Sequence, residues 1–138
     1  MKTVTLLLVS LVVAATPVRA QDETAVAAAE QATRAWLGLT DSGKYEESWA
    51  QAGSLFRAAI SAEDWVQALT GARTAFGAML SRDTASAEYS TTLPGAPDGE
   101  YIVFQFNSAF ANKAAAVETV TAMKDPDGKW RVAGYYIR

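Results

Sequence analysis

The second half of the chain alternates apolar and polar residues with a period of two, which predicts β-strands. Three segments show the pattern clearly and are rich in β-branched and aromatic side chains: residues 100–110, 115–123 and 129–137. Residues 84–91 also alternate, with only a weakly hydrophobic face. Residues 93–99 hold two prolines and two glycines, and Asp-Pro-Asp-Gly at residues 125–128 is a strong tight-turn signal. The pattern therefore predicts a meander of four antiparallel strands.

The first half repeats its apolar residues at steps of three and four, as amphipathic helices do. Helices are predicted at residues 21–40, 45–52 and 61–80, with one or two helical turns at residues 55–60. Gly43 is expected to end the first helix in a left-handed conformation.

Helices followed by a run of strands predict an α+β fold. We expect about three N-terminal helices packed on a curved four-stranded antiparallel sheet, as a cone-like single domain of residues 21–138. In the second strand, Ile102, Phe104 and Phe106 form the better core face. In the last strand, strict alternation puts Tyr136 with Val132 on one face and Tyr135 on the other.

The first twenty residues predict a targeting segment rather than part of the folded domain. Lys2 precedes an apolar run of twelve residues, and Val18-Arg19-Ala20 offers a small residue at the cut, as in a secretory signal peptide. The run is too short for a spanning helix, which needs about 20 residues. We expect cleavage after Ala20 and a periplasmic or secreted protein without a stable membrane span. An uncleaved N-terminal anchor is the alternative.

Composition narrows the classes of partner. The whole chain has 12 basic and 15 acidic residues, and removal of Lys2 and Arg19 leaves a net charge of about −5. An acidic domain without a basic stripe gives no reason to expect nucleic-acid binding. There is no cysteine, so the core alone has to stabilise the domain, which about 118 residues can do.

The chemistry available to the chain is limited. It has no histidine and no cysteine, which excludes thiol nucleophiles, histidine triads and the usual zinc sites. We expect no cofactor and no metal, and interpret residues 125–128 as a plain turn rather than a calcium loop. Glu118, the one acid within a strongly apolar strand, is a weak catalytic candidate, with Tyr136 or Tyr89 as hydrogen-bond donor. Alternatively it faces solvent and pairs with Arg131.

The aromatic residues allow two interpretations. Six of them could line a ligand pocket but more often form a core: Trp36, Trp49, Trp65, Trp130, Phe104 and Phe106. Tyr45 and Trp49 lie next to a predicted loop, so they are the candidates for a pocket rim. The binding candidates are therefore Tyr45, Trp49, Glu118 and Tyr136. Whichever of Tyr135 and Tyr136 points outward could, together with Tyr101, mark a homodimer face.

Three segments resemble a known family: DSGKYEESW at residues 41–49, FANKAAAVETVT at 110–121 and DGKWRVAGYYIR at 127–138. They look like the bacterial domain-of-unknown-function family numbered 4019, over nearly all of the predicted mature chain. More distantly, the helix order and the Gly-Lys-Trp-Arg-Val ending resemble the nuclear-transport-factor-2-like cone fold. That class includes ketosteroid isomerase, dehydratases and non-catalytic modules, so the resemblance implies a fold without choosing an activity.

Three functions follow as hypotheses. The leading one is a non-catalytic exported module that binds a small apolar ligand or a protein partner. The second is a proton-transfer isomerase or dehydratase that uses Glu118 and a tyrosine. The third is a structural homo-oligomer built through the outer face of the sheet.

Overall fold

The structure, a computed structural model, describes residues 18–138, with side chains from residue 22 onward. The predicted signal peptide, residues 1–20, lies outside the described side chains. The described elements follow in the order α1 (Val18–Asp41), α2 (Tyr45–Gln51), α3 (Ser54–Ala59), α4 (Ala62–Phe76), β1 (Met79–Ser90), β2 (Tyr101–Phe110), β3 (Lys113–Lys124) and β4 (Trp130–Ile137).

The strands form one antiparallel sheet in the order β1-β2-β3-β4, with the helices packed on one of its faces. This confirms the predicted α+β class and the four-stranded meander. The sheet is not strongly curled, so the expected cone shape is the part of the prediction that differs.

Two helix ends show where local signals worked and where they did not. Gly43 follows α1 with φ of 75°, as predicted. The last helix was predicted to reach Leu80, but it ends at Phe76, and Met79 already pairs with Phe110 in the sheet. Gly77 makes the break: its φ is 74°, and an added Cβ would lie 3.0 Å from Nδ2 of Asn112.

The space between helices and sheet is filled by aromatic rings. Trp36 lies with its ring centroid 5.8 Å from Trp65, 5.9 Å from Phe56 and 5.6 Å from Tyr135. Ser48 holds both indoles: its carbonyl oxygen accepts from Nε1 of Trp36 at 2.7 Å, and its Oγ accepts from Nε1 of Trp65 at 2.9 Å. The two indoles are therefore packed and hydrogen-bonded as core, the more frequent of the two interpretations.

The last strand departs from strict alternation. Ala122 pairs with Val132, but the next residue back, Thr121, pairs with Gly134, so β4 contains one extra residue at Ala133. Such a bulge exchanges the two faces of the strand beyond it. Tyr135 consequently points toward the helices, on the same side as Val132, and the predicted placing of Tyr136 with Val132 is wrong.

Candidate functional site

Glu118 lies on the inner face of β3, opposite Phe106, and is completely buried. Its carboxylate accepts four hydrogen bonds: from Nε of Arg82 at 2.7 Å, from Nη2 of Arg82 at 3.2 Å, from the Ser108 hydroxyl at 2.5 Å and from the Tyr135 hydroxyl at 2.5 Å. Each oxygen receives two of them. A carboxylate has about four acceptor positions, so all are occupied by the protein itself.

Arg82 of β1 joins Glu118 to the end of α1. Its Nη1 donates to Oδ2 of Asp41 at 2.7 Å and its Nη2 to Oδ1 of the same residue at 3.0 Å. Arg73 of α4 also donates to Asp41 and lies over the Phe110 ring, with its guanidinium carbon 4.8 Å from the ring centroid. Two acids and two arginines thus alternate in space, and their formal charges cancel. We call this set, with Ser108 and Tyr135, the buried ion network.

The network connects nearly every layer of the fold. Its members come from α1, α4 and all four strands. Side-chain exposure increases from Glu118 at 0% through Arg82 at 7% to Asp41 at 19%, and falls again to 6% at Arg73. Among the four charged members, Asp41 is therefore the one nearest to water, while Glu118 is the one enclosed by the core.

The protonation states follow from these contacts. Burial by itself would lower the pKa of Arg82, but the hydrogen bonds and charges of Asp41 and Glu118 outweigh it and raise the pKa above its ordinary value. Burial raises the pKa of Tyr135, and the adjacent Glu118 raises it further. Arg82 consequently remains charged, and Tyr135 remains a protonated donor throughout the physiological range.

This arrangement holds charges in place rather than presenting one to a substrate. A general base must be within hydrogen-bond reach of the proton that it removes. Glu118 is enclosed and its acceptor positions are filled, so a substrate proton could reach it only after Arg82, Ser108 or Tyr135 had moved away. The geometry therefore favours a structural role for the ion network.

The predicted partners of Glu118 are not the observed ones. Tyr136 is 59% exposed on the opposite face of the sheet, and Tyr89 donates instead to Glu100 at 3.2 Å. The alternative pairing with Arg131 is also wrong, since Arg131 donates to Asp125 at 3.1 Å and to Asp127.

Sequence reasoning missed the other members of the ion network, although one of them had a signal. Ser108 continues the alternation of Phe104 and Phe106, so the period of two places it on the inner face. Arg82 and Asp41 had no such signal, because their contact joins residues 41 positions apart.

The remaining binding candidates lie on α2. The indole of Trp49 donates to the carbonyl oxygen of Ile60 at 2.8 Å and packs against the core. Tyr45 is half-buried beside a shallow depression of about 470 Å³ that also involves Lys44 and Ala50. Trp49 thus packs against the core, and of the two residues only Tyr45 lies at the rim of a depression.

A larger groove runs between α2 and α4. It has a volume of about 590 Å³ and is lined by Glu46, Ala62, Glu63, Val66, Gln67 and Thr70. Ala62 and Val66 contribute apolar surface along α4, while Glu46 and Glu63 are exposed acids on the two helices that flank it. We call it the α2–α4 groove.

No set of three or more acidic residues is placed to hold a metal ion in residues 22–138. Within the described chain, every helix is too short or too polar to cross a membrane.

Comparison with known proteins supports the family resemblance. The family model described as a protein of unknown function (DUF4019) matches residues 32–135. No curated protein matches the chain. No solved structure matches it either, so the more distant resemblance to cone-fold proteins has no support from these comparisons.

Proposed function

Since the chain belongs to the DUF4019 family, whose function is unknown, we propose a function from the geometry: a non-catalytic, exported domain that binds a protein partner through the α2–α4 groove. The observation that carries the proposal is that the groove combines the apolar surface of Ala62 and Val66 with the acidic residues Glu46 and Glu63. The buried acid Glu118, by contrast, has all its acceptor positions filled by the protein itself. A periplasmic or secreted location is part of the proposal and rests on the predicted signal peptide.

The ion network supports the non-catalytic part of this proposal. An enzyme of the proton-transfer type needs a carboxylate whose proton affinity is available to a substrate. Here the acceptor positions of the Glu118 carboxylate are filled by hydrogen bonds from Arg82, Ser108 and Tyr135. The Glu118–tyrosine pair that the enzyme hypothesis requires does exist, but both members contact each other and the core.

The shape of the groove favours a protein segment over a small molecule. Small-molecule sites usually bury 70–90% of the ligand. The α2–α4 groove is open along the surface, with Glu63, Gln67 and Thr70 all exposed. A helix or extended segment can lie along such a groove and bury one side of itself.

The charges at the groove define the chemistry of the partner. Glu46 and Glu63 favour Lys or Arg beside the apolar side chains that would contact Ala62 and Val66. Long-range attraction acts in the same direction, because acidic residues outnumber basic ones in the chain. The proposed partner is therefore a short amphipathic segment with an apolar stripe and basic flanks.

Titration of ¹⁵N-labelled protein with a short Leu/Lys peptide tests this. We expect the amide signals of Ala62, Val66 and Thr70 to shift, and the double variant Glu46→Lys/Glu63→Lys to weaken binding at least tenfold through repulsion. Glu88→Lys/Asp98→Lys, which makes the same total change of charge at exposed positions away from the helices, is the matched control and should bind like the parent.

Three results would count against the proposal. A Leu/Glu peptide that binds equally well would show that the acidic residues do not select the partner. Shifts spread over the sheet rather than along α4 would place binding elsewhere. A small alkylammonium ion that saturates the same amides more tightly than the peptide would identify a small-molecule site instead.

A further inference from the structure

The sheet has a second surface that no helix covers in the described chain, which we call the outer face. Its centre is formed by half-buried side chains of β2 and β3 that carry no charge: Val103, Gln105, Val117, Thr119 and Thr121. Tyr136 of β4 pairs with Thr119 and is 59% exposed there. Interfaces are depleted in charge at their centre and enriched in tyrosine. We propose that the outer faces of two copies of this chain pack against each other.

The charges on the outer face are separated between its two edges. One row across the sheet runs from Asp83 of β1 through Asn107 and Val117 to Arg138, which exchanges two backbone hydrogen bonds with Val117. Asp83 and Arg138 are both exposed and have no ion-pair partner among the described residues. The side chains of the row are therefore acidic at one end, uncharged in the middle and basic at the other end.

This polarity selects one arrangement of the two copies. A two-fold axis parallel to the strands places β1 of one copy over β4 of the other, so Asp83 faces the second copy's Arg138, and the pair occurs twice. A two-fold axis perpendicular to the strands would instead place β1 over β1 and oppose acid to acid. Only the first arrangement is electrostatically complementary.

The dimensions permit such packing. Sheets pack about 10 Å apart, a gap that the Asp and Arg side chains can bridge from opposite sides. The β1–β2 loop covers one end of the face, where Tyr101 is buried and donates to the carbonyl oxygen of Pro97. Four strands spaced by about 4.8 Å, each about 30 Å long, therefore offer at most roughly 600 Å² per copy, or roughly 1,200 Å² in total. That is the lower end of specific interfaces, so the expected dimer is weak and depends on concentration.

Exchanging the charges of Asp83 and Arg138 tests the proposal. The full chain is expressed, and the dissociation constant of the purified protein is measured by analytical ultracentrifugation. Asp83→Arg should weaken the dimer about tenfold, since it puts arginine against arginine twice. Asp83→Arg combined with Arg138→Asp should restore association, because the exchanged charges face each other again. Glu47→Arg, with the same change of charge at an exposed position of α2, should leave the dissociation constant unchanged.

A substitution at the centre of the face gives a second measurement. Thr119→Lys should abolish dimers, and an unchanged circular dichroism spectrum would show that the variant still folds. A protein that is monomeric up to millimolar concentration overturns the proposal. So does a dimer that Asp83→Arg and Thr119→Lys leave intact, or one that the double exchange fails to restore. None of these results affects the α2–α4 groove, which lies on the helices.

Discussion

Replacing Glu118 with glutamine removes one charge from the centre of the ion network and changes little else in shape. Glutamine offers a carbonyl oxygen with two acceptor positions and an amide with two donors. Two of the four donors that now contact Glu118 would therefore face an N–H group in either orientation of the amide. The Ser108 and Tyr135 hydroxyls can rotate and accept, but Arg82 has no acceptor and would keep a partly uncompensated charge.

The magnitude follows from that residual charge. Breaking a buried ion pair by removing one partner costs about 3–5 kcal/mol. Arg82 keeps both hydrogen bonds to Asp41, so the lower end, about 3 kcal/mol, is expected for Glu118→Gln. A domain of this size is stable by about 5–15 kcal/mol, so the loss is large but leaves the protein folded.

Urea unfolding followed by tryptophan fluorescence measures this loss. With a slope of about 1–3 kcal/mol per molar, the midpoint should fall by about 1–3 M. Glu88→Gln, the same change at an exposed position of β1, is the control and should alter the free energy of unfolding by less than about 0.5 kcal/mol. Equal midpoints for the two variants would refute the assignment of the ion network to stability.

Two further predictions concern protonation. Burial and the neighbouring Glu118 raise the pKa of Tyr135 above the ordinary value of 10.0. The contribution of Tyr135 to stability is therefore complete below about pH 10 and is lost as the pH rises through the folded pKa. Alkaline unfolding should show this loss in the parent and in Tyr136→Phe, but not in Tyr135→Phe. The hydrogen bonds from Arg131 hold the pKa of Asp127 at about 2, so its contribution is present above the ordinary value of 3.8 and is lost as the pH falls through 2. Titration followed by the side-chain carboxyl ¹³C signal should show the pKa of Asp127 rising toward 3.8 in Arg131→Met. An unchanged pKa would show that Arg131 is not the cause of the lowering.

The face of each strand was predictable only where the alternation is regular. In β2 the inner positions Ile102, Phe104 and Phe106 follow the period of two and are fully buried. In β4 the bulge at Ala133 reverses the faces beyond it, so Tyr135 rather than Tyr136 reaches Glu118. Gly134, next to the bulge, is a local signal for it, because an isolated glycine within a strand often marks a bulge. Where the extra residue lies, and which faces it exchanges, still depends on how β4 pairs with β3.

Glu118 shows the same limit for the site. Its sequence context identified an acid inside an apolar strand, and the structure places it in the core. The context did not reveal Arg82, whose charge balances that of Glu118, or Asp41, which accepts hydrogen bonds from Arg82, because both lie in other elements. Whether a buried carboxylate is reactive or inert depends on such partners, since they determine its charge and its free acceptor positions.

Local interactions explain what could be read directly from the order of residues. Hydrophobic period and turn residues act within a few positions, so they suffice for the α+β class, the four strands and the positive φ of Gly43. The ion network, the end of α4 at Gly77 and the polarity of the outer face each require residues that are distant in sequence to meet. Those meetings are set by the packing of the whole core, whose free energy outweighs the preferences of any single segment.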